Sequence, residues 1–358
     1  MTQSTNKQPS TNQPTTNQSV VEKVAEVLNK NTNGAKNESM LPNRDFTALQ
    51  DTAWRLSREI IEMTTKAGSG HPSSSLSMID ILTALYFGGV MRYNPQAPHW
   101  EERDRFILSK GHGAPGLYAI LAEAGYFEPA LLDTLRQIDS PVEGHPIMNR
   151  LPGIEASTGS LGQGLSIGLG HALGARIDKR DYRVYVIIGD GESDEGQIWE
   201  AAMAAAKYQV DNLTAILDLN KFQQTGSVNK VMPSLEPVVD KWEAFGWNVR
   251  EIDGHDMEEV LEALRAVKTV TQQPQMIVAH TLKGRGLSPF EKNDVNRKHG
   301  EVLKPDEAAV ALAELDEQRT WALYDPAGPR TPTNERAANR LAKEVVTRQG
   351  EAGKSTER

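Results

Sequence analysis

Cysteine is missing from all 358 positions of the sequence. That absence excludes structural disulfides, thiolate nucleophiles, zinc ribbons and iron–sulfur clusters. Excess positive charge is missing too: 39 Lys and Arg stand against 48 Asp and Glu, a formal net charge of −9 at pH 7, and no run of five basic residues occurs. A non-specific nucleic-acid binder carries the opposite balance, so no nucleic-acid partner is expected. No apolar stretch approaches the roughly 18–20 residues of a membrane span, so no membrane partner is expected either. What is left is a chain with ample material for one large α/β domain or two ordinary ones. Its chemistry must come from histidines, carboxylates and borrowed cofactors.

The first nineteen residues, MTQSTNKQPSTNQPTTNQS, hold Met1 as their only apolar side chain. Such a stretch buries too little surface to offset its ordering entropy, so residues 1–42 are expected to form a disordered polar tail, broken at most by a short amphipathic helix over Val20–Leu28. The tail lacks the apolar core of a secretory signal and the arginines of a mitochondrial presequence, which points to a cytoplasmic protein. Residues 326–358 read as a second, charged tail with Pro and Gly breaks. The globular part is expected over 43–325.

Within it, Leu49, Ala53, Leu56, Ile60 and Met63 recur at helical spacing, and Gly68-Ser69-Gly70-His71-Pro72 ends that helix. A second helix is expected over Leu76–Phe87. Short apolar or β-branched runs follow at Phe106–Leu108, Val184–Ile188, Leu213–Leu219, Trp247–Ile252 and Gln275–Ala279, with helical patterns at Trp199–Tyr208, Leu235–Phe245 and Met257–Val270. Buried runs separated by helices predict a doubly wound parallel α/β sheet flanked by helices. In such sheets ligands bind beyond the carboxyl ends of the strands, so the residues just after each run carry the interest.

After Val184–Ile188 comes Gly189-Asp190-Gly191-Glu192, and after Leu213–Leu219 comes Asn220-Lys221-Phe222. A carboxylate, a side-chain amide oxygen and a free backbone carbonyl suit a hard divalent cation such as Mg²⁺. An isolated Gly-Asp-Gly is more simply a tight turn with a helix-capping Asp; a second polar strand end thirty positions later favours the cation. Ser157–Gly164 (STGSLGQG) is read as opening a helix that continues through Gly168, Gly170 and Gly174, with the backbone amides at 159–162 able to hold an anion. The later glycines are read as helix–helix packing positions. Six of the eight histidines adjoin a glycine, and four of these, His71, His112, His145 and His299, fall in expected loops between the predicted elements. One such histidine is usually a turn residue, whereas four fit a converging pocket that trades protons near neutral pH. His99, His171 and His280 are read as structural, and His255 as organising the start of the next helix.

Taken together, SGHP, RDRFILSKGHGAPGLYA, GHP, STGSLGQGLS, GDGESDEGQIWEAA and the downstream Asn220 resemble the transketolase family of thiamine-diphosphate enzymes, specifically its N-terminal, diphosphate-binding half, over about residues 45–310. The resemblance implies two cofactors, thiamine diphosphate and Mg²⁺. Asp190, Asn220 and the Phe222 carbonyl would bind the metal, with Gly191 beside the diphosphate. His112, Gly159, Ser160 and Leu161 would line the cofactor. His71, His145 and His299 would face substrate, His299 also lying near the diphosphate, and Glu195 would sit between cofactor sites. Ser73 and Lys110 depart from many full-length members and look like the split, two-gene branch. The implied reaction passes a two-carbon ketol unit from a ketose to an aldose, moving protons on and off sugar oxygens.

Three other readings are weighed. The α-chain of a 2-oxoacid dehydrogenase accounts for the Gly-Asp-Gly and Asn but not for the histidine set. A deoxyxylulose-phosphate synthase half fits the GHP and KHG stretches less well, and a non-catalytic, cofactor-holding chain leaves a complete residue set without use. In the family, the glutamate that activates the cofactor's pyrimidine belongs to a second α/β domain. The match stops near residue 310, leaving too little chain for another such sheet. The expectation is therefore a separate C-terminal partner subunit, two copies of each chain, sugar-phosphate substrates, and Glu195 and the Gly164–Gly174 helix near the contacts.

Overall fold

A computed structural model describes residues 46–324. The two tails and the Val20–Leu28 helix expected from sequence lie outside them. Five strands form one parallel sheet: β1 (Arg105–Leu108), β2 (Val184–Gly189), β3 (Leu213–Leu219), β4 (Asn248–Asp253) and β5 (Gln275–His280), in the order β1-β2-β3-β5-β4. Each apolar run read from sequence becomes one of these strands. β2 shows why they pair in parallel: every one of its residues is buried, so both sheet faces need a covering layer. Tyr185 and Ile187 point into one hydrophobic cluster, while Val184, Val186 and Ile188 point into the other.

The first layer holds α1 (Phe46–Ala67), α2 (Pro72–Leu76), α3 (Ile79–Phe87), α4 (Ala114–Glu123) and α8 (Met257–Ala266), whose apolar faces form one core cluster with Ile216 and Ile277 of the sheet. The second holds α5 (Gln163–Ile177), α6 (Gly196–Lys207) and α7 (Val238–Ala244), with Trp242 fully buried among them. A last helix, α9 (Pro305–Tyr324), packs along α1, where Arg58 and Asp316 pair at 2.9 Å. Among the described residues no helix is long and apolar enough to cross a membrane.

Three expectations need correction. The helix read over Leu76–Phe87 is two helices, parted at Ser77 and Met78, where the Ser77 hydroxyl donates to Asp218 at 2.6 Å. The helix expected from Ser157 starts only at Gln163, because Gly162 at φ 84° turns the chain and Gly159 sits at φ 151°. The amides at 159–162 therefore belong to a loop.

The later α5 glycines do not share one helix–helix contact. A Cβ on Gly168 would come 2.5 Å from Val186 Cγ2, so this glycine packs on the sheet, whereas a Cβ on Gly170 would meet nothing within 4 Å. The two substitutions should therefore have opposite signs. Gly168→Ala should cost about 1–3 kcal/mol by overpacking. Gly170→Ala should stabilise by roughly 0.5–1 kcal/mol by relieving glycine's helix penalty. Urea unfolding of the two variants checks this; equal shifts of the same sign would contradict the packing described.

Candidate active site

The carboxyl ends of the central strands place the polar residues on one edge. β1 leads into Ser109-Lys110-Gly111-His112, β2 into Asp190 and Gly191, β3 into Asn220–Phe222, and β5 into Thr281–Lys283. Parallel strands direct all four of these segments toward the same side. The α1–α2 link brings His71 over this edge, and two long loops bring His145 and His299.

The four loop histidines His71, His112, His145 and His299 meet. The His71 ring lies 5.2 Å from that of His112, 5.6 Å from that of His299 and 6.4 Å from that of His145, and His112 and His299 are 4.9 Å apart. His71 Nδ1 is buried with no hydrogen-bond partner among the described residues. Backbone contact brings the neighbouring loops together. A Cβ on Gly111 would come 2.7 Å from Gly159 N, and one on Gly159 would come 3.1 Å from the His145 ring. Gly111 and Gly159 thus set the His112 loop against Gly159–Leu161, with Ser160 exposed and Leu161 half-buried.

The three residues expected to bind a cation lie on the ends of two neighbouring strands, β2 and β3. Asp190 is only 2% exposed; its Oδ1 accepts from Gly191 N at 2.7 Å and its Oδ2 from Lys221 N at 2.5 Å. Asn220 Oδ1 accepts from Phe222 N at 3.1 Å. The Phe222 carbonyl accepts from Lys283 Nζ at 2.9 Å, and the same Nζ lies 2.6 Å from His299 Nδ1. One carboxylate, one amide oxygen and one carbonyl form a hard, all-oxygen donor set, which fits Mg²⁺. Gly191 keeps the strand end low: a Cβ there would come 3.0 Å from Gln223 Cγ.

Electrostatics separate the groups. Burial, with Asp218 nearby, pushes Asp190 up to about 7. Burial lowers Lys283 to about 8, opposed by Asp190. Burial, then the Arg136, His145 and Lys283 surroundings, lowers His71 to about 4; burial and then Lys283 lower His299 to about 3. His112 is also lowered, by burial first and Lys110 second, and His145 by burial and Arg136. The imidazoles are therefore neutral at pH 7.

A profile described as the thiamine diphosphate binding domain of transketolase matches residues 51–327. The chain belongs to the transketolase family. It carries that family's cofactor-binding N-terminal domain and is a transketolase-type transferase. It is 45% identical over 270 residues to the 6-deoxy-6-sulfo-D-fructose transketolase subunit of Clostridium sp. (strain MSTE9), covering 75% of this chain and 97% of the relative. It is 42% identical over 261 residues to an apulose-4-phosphate transketolase subunit of Phocaeicola vulgatus, covering 73% and 91%. Against Homo sapiens transketolase it is 43% identical over 272 residues, 76% of this chain but 42% of the relative. The crystal structure of Campylobacter jejuni transketolase superposes with a TM-score of 0.71 at 32% identity, covering 76% of this chain and 43% of that one. The chain thus spans less than half the length of these two transketolases. These matches favour neither the 2-oxoacid dehydrogenase nor the deoxyxylulose-phosphate synthase reading.

Several site residues of this transketolase domain were not foreseen. Lys283 lies three positions past β5, where the strand-end rule applied to the last apolar run would have found it. Glu192, buried, accepts from Ser109 Oγ, from Gly162 N at 2.9 Å and from Gly189 N at 3.0 Å, and so holds the Gly162 turn against the end of β2. Arg136 donates to Ser69 Oγ at 3.0 Å and to the Gly144 carbonyl at 3.3 Å, which places its charge beside the histidines. Glu195 is exposed at the start of α6 and packs against the Gly162 turn. His255 links Asp80, at 2.8 Å, to the Leu282 amide, at 2.9 Å, while Asp256 caps α8 in the place expected for His255.

A histidine whose folded pKa lies below its unfolded 6.5 favours the fold fully above pH 6.5. That contribution is lost as pH falls through the folded value, here about 4 for His71 and about 3 for His299. Each such group steepens the loss by up to about 1.4 kcal/mol per pH unit. Urea unfolding at pH 6.5, 5.5 and 4.5 should therefore show a shallower decline for His71→Asn/His299→Asn than for the parent. Parallel declines would contradict it.

Proposed function

We propose that the chain is the diphosphate-binding subunit of a two-component transketolase that moves a two-carbon ketol unit from a ketose to an aldose, one or both phosphorylated or otherwise anionic. The contact among four histidine rings, joined through Lys283 to the Phe222 carbonyl, is the observation that carries this reading. Asp190, Asn220 and the Phe222 carbonyl would hold Mg²⁺. Gly191 would let the diphosphate approach the backbone, and His112, Gly159, Ser160 and Leu161 would line the rest of the cofactor. Once bound, thiamine diphosphate supplies the nucleophilic carbon and electron sink that imidazoles and carboxylates lack.

The chain's own residues then manage protons and position. His71 has a buried, unpartnered Nδ1 and is unprotonated near neutral pH, so it would take a proton from a sugar hydroxyl and return it to a carbonyl oxygen. His145 would serve the same oxygens from another side, and His299 would donate to them from Nε2. Lys283 would offset the diphosphate's charge and, standing on His299 Nδ1, keep that ring neutral with its proton on Nε2. Glu195 would lie at the contact between cofactor sites, with the pyrimidine half supplied by a C-terminal partner chain, two copies of each in a cytoplasmic assembly. The anionic substrate class is supported by the sulfo- and phosphosugar names of the two subunit relatives.

Asp190→Ala should abolish Mg²⁺-dependent thiamine-diphosphate binding measured by calorimetry while leaving the circular dichroism spectrum unchanged; retained affinity would sink the cation assignment. His71→Ala, His145→Ala and His299→Ala should each lower ketol transfer, assayed with the partner chain present, by about 10²–10⁴-fold. Normal turnover would make them structural.

A further inference from the structure

Beneath the site lies an ion pair that the proposed chemistry does not use. Lys110 is 1% exposed and Asp218 0%, and Lys110 Nζ donates to Asp218 Oδ2. The same carboxylate accepts from Ser77 Oγ at 2.6 Å, from Thr281 Oγ1 and from Asn220 Nδ2 at 3.1 Å. Three of these donors converge on Oδ2, while Thr281 takes Oδ1. Lys110 also donates to the Ser74 carbonyl at 2.9 Å. The donors to Asp218 come from the segments that carry His71, His112, Asn220 and Lys283.

Asn220 gives this cluster a direction. Its amide has a donor end and an acceptor end of nearly the same shape, and only the acceptor end can bind a cation. Asp218 and Asn220 are two positions apart at the end of β3, so they project to the same side. An ionised carboxylate only accepts, so it requires Nδ2 to face it. Oδ1 is thereby turned toward the 221–222 turn, where Phe222 N reaches it at 3.1 Å and where Lys221 N reaches Asp190 Oδ2. An apolar pair of equal volume would hold two segments together at least as well as buried ions do, which favours a role in geometry over one in bulk stability.

We propose that Lys110 and Asp218 are a positioning pair for the cation site: Lys110 holds the carboxylate in place, and Asp218 fixes the Asn220 amide with its oxygen toward Asp190 and the Phe222 carbonyl. The proposal rests on the reading of Asp190, Asn220 and Phe222 as cation ligands.

The test is titration of Mn²⁺ into the full chain at saturating thiamine diphosphate, read as loss of the free-ion electron paramagnetic resonance signal. Asn220→Asp adds negative charge at the cation and on Coulomb grounds alone should tighten it. The positioning pair requires the opposite, a weakening of about 10–100-fold, because Asp218 would then face an acceptor. Exchanging the two residues, Asn220→Asp with Asp218→Asn, keeps the net charge and restores a donor opposite an acceptor, and should recover most of the affinity. Unchanged or tighter Mn²⁺ binding by Asn220→Asp overturns the proposal, as does an exchange variant as weak as the single one. If Asn220→Asp does not fold, the exchange variant decides: folded and binding supports the pair, whereas unfolded, or folded without binding, overturns it. Asp190→Ala separates the two levels. Undiminished Mn²⁺ binding there refutes the cation site itself, while loss there with no effect of Asn220→Asp refutes only the positioning pair.

Discussion

The buried charge on Asp218 constrains everything above it. A carboxylate taken wholly out of water is costly unless its oxygens are filled, and here four separate segments each contribute a donor. The pair it makes with Lys110 adds little net stability by comparison with an apolar substitute, yet removing either partner alone would leave an uncompensated charge at a cost of about 3–5 kcal/mol. Such an arrangement tolerates one geometry. The loops that hold His71, His112, Asn220 and Lys283 diverge in sequence but leave this anchor at fixed positions, so the cluster above it is defined before any ligand arrives.

Charge in the site is arranged in layers. The lower layer is balanced, Lys110 against Asp218, with Asp190 and Lys283 close enough to shift each other. The upper layer holds four imidazoles that burial and neighbouring cations keep neutral. Lys283 and Arg136 stand beside those rings without adding a proton to them. Cations there favour an anionic ligand, while neutral rings stay free to take protons from it.

The sheet was legible because its strands are buried on both faces: unbroken runs such as Val184–Ile188 and Leu213–Leu219 have few alternatives. The histidine cluster was legible from four loop histidines standing beside glycines, although the strand-end rule reaches only His112, and His71, His145 and His299 arrive on a helix–helix link and two longer loops. The interior polar partners were not. Asp218 draws its donors Lys110, Ser77 and Thr281 from 63 to 141 positions away, and no local spacing announces them. The break between α2 and α3 was hidden too: Ser77 keeps helical backbone angles, and the chain departs from them only at Met78, at φ −108° and ψ 1°. The start of α5 was misplaced for a related reason: Gly162 N is held by Glu192 across thirty positions, which outweighs the local tendency of the chain to begin a helix at Ser157.

The close approach of Gly111 to Thr158 and Gly159 has an evolutionary consequence. Where two backbones touch, there are no side chains to exchange, and a Cβ on Gly111 would come within 2.8 Å of three backbone atoms. That part of the pocket is therefore a floor without an alphabet: it can be kept or lost, but it cannot be rewritten for a different ligand. Divergence among relatives that handle different substrates has to be spelled in the side chains standing around the floor, such as the exposed Ile147 and Met148.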